Sequence, residues 1–138
     1  MHPPLGLLAH PRPRGEDLAR LYALRAAKVT VLLPEIADYE IRRSFLLHNL
    51  HESLRQLDRL NEELIYVPLT TSTMRRAASM WADARRAGRP TAADQALDCD
   101  VILAAQALEM SAQVITENAA HLSRYGPALS WTDLPPRA

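Results

Sequence analysis

Three short apolar runs, VTVLLP (residues 29–34), IYVPL (65–69) and QVITEN (113–118), constrain this chain more than any other feature. Each is too short for a helix and rich in aliphatic or β-branched side chains, so each reads as a strand. The first is apolar throughout and closed by a proline, the pattern of a strand buried on both faces, and such strands belong in parallel sheets. The intervening stretches repeat their apolar residues at helical spacing. Leu18, Leu21, Tyr22 and Leu24 predict a helix from about Glu16 to Ala27, and Ile36, Tyr39, Ile41, Phe45, Leu46 and Leu50 predict one over 35–50. Leu54, Leu57 and Leu60 continue in a helix over 52–64. Thr70 to Thr73 supply N-cap side chains for a helix with the stripe Met74, Ala77, Ala78, Trp81 and Ala84, ended by Gly88 and Pro90. A further helix is expected over 98–110 and a short strand at LSWTDL (129–134). Strands alternating with helices give the expected class: α/β, a parallel sheet flanked by helices on both faces. Before Gly15 the prolines predict only a short apolar piece (Leu5, Leu7, Leu8) and an irregular loop.

At 138 residues the expectation is a single domain with one main site. Sixteen basic and sixteen acidic side chains cancel, so overall charge argues for neither nucleic-acid nor membrane binding. A local patch is still compatible with that balance, as in the arginine pairs 42–43, 75–76 and 85–86. Cys99 is the single cysteine, which excludes an internal disulfide and fits a reducing compartment, and no segment reads as an export signal or membrane span; a cytoplasmic location is expected. Four scattered glycines leave no GxGxxG or Walker loop, and no serine sits in a GxSxG context.

Parallel sheets place their sites beyond the carboxyl ends of the strands. That directs attention to Glu35, Asp38 and Glu40 after the first predicted strand, and to Glu117, Asn118 and His121 after the third. Oxygen-rich sets suit a hard cation, Mg²⁺ or Mn²⁺, and such an ion suits phosphodiester hydrolysis. Each candidate also has an ordinary explanation. Glu40 with Arg43 and Asp38 with Arg42 have the spacing of surface ion pairs. Asp98 reads as the N-cap of the 98–110 helix with Asp100 in its first turn, and Asn118 and His121 as a loop cap and an exposed ring. Asp100 is set apart by VILAAQAL, an apolar stretch that predicts a buried helix and a carboxylate on a dry wall.

The succession LGLLAHP, IADYEIRR, LDCDVILAAQA and VITENAAHLSRY resembles the PIN-domain family of metal-dependent ribonucleases, the VapC-type toxins in particular, over essentially the whole chain. The resemblance implies Glu40 and Asp100 as ligands of Mg²⁺ or Mn²⁺, with Asp98 beside them and Asp98 or Asn118 orienting the attacking water on an RNA substrate. It also implies an antitoxin partner or a homodimer, for which Leu46, Leu47, Leu50, Leu54 and Leu57 are the expected face. In the family an opening strand ends in an Asp. Here the aligned position falls at or before Met1, so the first strand and its acid are expected to be missing, as in an N-terminally truncated domain. The fourth acidic position is held by Asn118 or His121, with Glu117 the only acid nearby. Two functions follow: a Mg²⁺-dependent endoribonuclease, or a weak or inactive PIN-like module that pairs with an antitoxin or itself. An unrelated α/β regulatory domain is a third, more distant option.

Overall fold

A computed structural model describes residues 6–11, 15–88, 94–116 and 122–131, with the side chains of 15, 16 and 94–98 outside that description. In chain order the elements are β1 (Leu7–Ala9), α1 (Gly15–Ala26), β2 (Val31–Pro34), α2 (Glu35–Leu47), α3 (His51–Glu63), β3 (Ile65–Val67), α4 (Thr71–Arg86), α5 (Asp94–Glu109), β4 (Gln113–Ile115) and β5 (Ala128–Leu129). The five strands form one parallel sheet in the order β3-β2-β1-β4-β5. Alternation divides their side chains. Ala9, Val31, Leu33 and Ile115 meet α1, α2 and α3, while Leu8, Leu32, Val67 and Val114 meet α5, so both faces are covered.

The structure corrects the expectation that the first strand is missing. Leu7–Ala9 is that strand, lying between β2 and β4 with Leu8 opposite both Leu32 and Val114. Two apolar neighbours on each side make three residues enough, where the sequence alone offered only a short apolar piece before a proline-rich stretch. Gly6 precedes it because a Cβ there would lie 2.9 Å from the Thr30 carbonyl oxygen.

With so few glycines, three helices end on other residues in the left-handed region. Lys28, Asn49 and Ser111 have φ of 65°, 55° and 50°. In each case the following amide reaches back five residues, Val29 to Leu24, Leu50 to Phe45 and Ala112 to Ala107, which closes the last turn. This splits α2 from α3 at Asn49, ending α2 earlier than the expected 50. The last strand is Ala128–Leu129, with Trp131 in a short helical turn and 132–134 outside the described residues, so LSWTDL is not a strand through its length. Helix α5 begins at Asp94, which puts Asp98 inside the helix and Asp100 in its second turn, not at the cap and first turn.

Candidate functional site

The chain winds from β1 through β2 to β3 in one direction and returns to β4 and β5 on the other side, so the topological switch lies between β1 and β4. In an open parallel sheet the crevice at that switch is where ligands bind. His10 follows β1 and Thr116 follows β4, and the His10 amide donates to the Ile115 carbonyl at 2.9 Å. Across the crevice His10 Nδ1 lies 2.8 Å from Thr116 Oγ1, and His10 Nε2 lies 3.2 Å from Glu40 Oε1. A carboxylate only accepts, so Nε2 carries a proton, and Nδ1 meets the Thr116 hydroxyl. Thr116 is fully buried, whereas the His10 and Glu40 side chains keep 14% and 23% of their surface exposed. Glu40 is therefore the member of this relay that a ligand in the crevice can meet.

Glu40 thus pairs with His10, while Arg43 lies over the Tyr39 ring at 5.1 Å. Tyr39 chiefly, and Cys99 and Glu40 more weakly, hold the Arg43 guanidinium above its ordinary pKa. Asp100 is buried. Burial first, then the Asp100 charge, pushes the nearby Tyr125 phenol up. The side chain of Asp98 and all of Glu117, Asn118 and His121 lie outside the described residues.

The other two acids of this group hold the scaffold. Glu35 Oε1 accepts the Leu69 amide at 2.6 Å, tying the start of α2 to the segment after β3. Burial, with the Glu35 and Asp38 charges, pushes the Tyr66 phenol beside it up to about 12. Asp38 pairs with Arg42 as the spacing predicted, but it is buried, not solvated. It accepts from Arg42 Nε and Nη2 at 3.1 Å each and from Asn61 Nδ2 at 2.8 Å, and Arg42 also reaches Asp58 at 2.8 Å. That clamp joins α2 to α3.

Among the described residues no group of three His, Cys, Asp or Glu side chains could hold a metal ion. The donor chemistry agrees: an imidazole stands at the end of the central strand, and it already engages the Glu40 carboxylate. By themselves His10 and Glu40 do not make up a Mg²⁺ site built on carboxylates. The sequence reading passed over His10 and Thr116, although both directly follow short apolar runs; reading LLA as a strand, as VLLP was read, would have found His10.

No protein-family model matches the chain, and no curated protein matches it. Solved structures do. The complex VapBC2 from Rickettsia felis, bound to a DNA fragment from its promoter, matches with a TM-score of 0.69 at 13% identity, over 91% of this chain and 98% of that one. FitAcB from Neisseria gonorrhoeae matches with a TM-score of 0.67 at 22% identity, over 93% and 99%. FitAB bound to the IR36 DNA fragment matches with a TM-score of 0.68 at 18% identity, over 96% and 99%. At these identities the likeness speaks for the fold alone, and the fold of this chain is PIN-like: a five-stranded parallel sheet between two layers of helices.

Proposed function

We propose that this chain is the PIN-like member of a toxin–antitoxin pair, acting by binding an antitoxin protein, with metal-dependent ribonuclease chemistry weak or absent. The observation that carries the reading is His10, an imidazole bonded to Glu40 just after the first strand, which in the family resembled ends in an Asp. The partner half rests on likeness over more than nine-tenths of the chain to complexes named as VapBC and FitAB, two of which are described as bound to DNA. An exposed apolar face accords with it. Leu46, Leu47 and Leu50 are 58%, 76% and 42% exposed, with Tyr39 further along the same side of α2. Leu57 belongs to the core and Leu54 packs against it, so the face is narrower than the five leucines expected from the sequence.

The test is co-expression with the product of the adjoining reading frame, followed by sedimentation. Leu47→Asp should abolish the complex and leave the melting temperature within about 2 °C, because the side chain is outside the core. An unchanged complex in Leu47→Asp would remove this face, and self-association alone would favour the homodimer.

The second reading, a Mg²⁺- or Mn²⁺-dependent endoribonuclease, is favoured by the partly open Glu40 on α2 and the buried Asp100 on α5. Glu40 and Asp100 would then hold the ion, with Asp98 or Asn118 orienting water. Single-stranded RNA incubated with Mg²⁺ or Mn²⁺ is expected to survive. Losing one well-placed electrostatic group costs roughly 10²- to 10³-fold in rate. Strong metal-dependent cleavage that disappears in Asp100→Asn would install the second reading in place of the first.

A further inference from the structure

We infer that His10 stands in for a bound cation at the switch point: its two ring nitrogens join Glu40 to Thr116 and occupy the carboxylate oxygen an ion would need, so that His10→Asp opens Glu40 to a hard cation. The inference rests on the reading of a crevice without a complete metal site and extends it to a cause, since it assigns that property to one side chain.

The argument is one of donor chemistry and position. His10 Nε2 uses its proton on Glu40 at 3.2 Å, and Nδ1 is engaged by the Thr116 hydroxyl at 2.8 Å. With both nitrogens engaged the ring offers an incoming ion no lone pair, and it occupies the carboxylate oxygen the ion would need. Turning the ring away would break a hydrogen bond to a fully buried threonine. The backbone gives no slack, because the His10 amide is bonded to Ile115 in the neighbouring strand. Mg²⁺ prefers oxygen ligands in a near-octahedral set, and among the described residues no third His, Cys, Asp or Glu side chain completes a metal-holding group with His10 and Glu40. An aspartate at the end of β1 would remove the internal bond and set a second carboxylate facing Glu40, two charges that a divalent ion would neutralise.

The experiment is calorimetric titration and thermal melting of the full chain with Mg²⁺, Mn²⁺ and Zn²⁺, separately. The wild type should show no saturable Mg²⁺ or Mn²⁺ binding and no melting shift, while His10→Asp should bind Mn²⁺ saturably and melt higher in its presence; no binding by a folded His10→Asp would overturn the inference. Nitrogen chemical shifts of the His10 ring in the wild type give a second readout that needs no variant. They should report a proton on Nε2, and the ring signals should not broaden when Mn²⁺ is added. Saturable Mg²⁺ binding by the wild type that is lost in Glu40→Gln would overturn the inference. So would Zn²⁺ binding lost in His10→Asn, because the imidazole would then be a ligand and not a substitute for the ion. None of these outcomes depends on the antitoxin complex, so the inference and the pairing reading can fail separately.

Discussion

Phe45→Ala is expected to lower the unfolding free energy by about 3–5 kcal/mol. Phe45 is the one phenylalanine in the chain and is almost fully buried in the core layer formed by α1, α2, α3 and one face of the sheet, with Ile41, Leu57 and Leu60. Its backbone cannot follow a shrinking side chain, because its carbonyl accepts the Leu50 amide at 2.9 Å in the turn that ends α2. The void would therefore persist. A domain of this size is stable by roughly 5–15 kcal/mol, so the change would remove a third or more of that margin. Urea unfolding of the wild type, Phe45→Ala and Phe45→Leu tests it, with the leucine variant expected to lose about 1 kcal/mol. A loss below about 1.5 kcal/mol for Phe45→Ala would mean that α3 closes onto the gap.

The second large effect is electrostatic. Asp38→Ala is expected to cost about 2–3 kcal/mol, between the values for exposed and for buried ion pairs. The carboxylate accepts three hydrogen bonds, two from Arg42 and one from Asn61, and together with Asp58 it holds the guanidinium above its ordinary pKa. Removing it takes from the Asn61 side chain a partner for its amide nitrogen, and among the described residues Asn61 Oδ1 already has none. Arg42 keeps Asp58, and its side chain is about a third exposed, which is why the fully buried figure does not apply. Asp38→Asn should cost less than Asp38→Ala. A double-mutant cycle with Asn61→Ala should return a coupling near 1 kcal/mol. Coupling near zero would show that the pair Arg42–Asp58 alone holds α2 to α3.

The interior of the fold was legible from residue pattern. VTVLLP and IYVPL lie on β2 and β3, the helical stripes on α1 to α5, and Thr70 caps α4 by accepting the Thr73 amide. These features depend on which side chains recur at a spacing of two or of about 3.6, and that spacing is local. The same holds for the pairing of Asp38 with Arg42, four residues apart. Helix ends were less legible because Lys28, Asn49 and Ser111 do work that glycine usually announces.

Tertiary structure alone decided three things. It made Leu7–Ala9 a strand, because a three-residue segment is stabilised by hydrogen-bonded neighbours on both sides and not by its own propensity. It buried Asp38 by laying α3 across α2. And it brought His10 to Glu40 and Thr116, which stand 30 and 106 positions away. Spacing along a chain does not say which strand lies beside which. Only the return of the chain from α5 to the far side of β1 sets the end of β4 against the end of β1, and so turns a histidine before a proline and a threonine after an apolar run into one site.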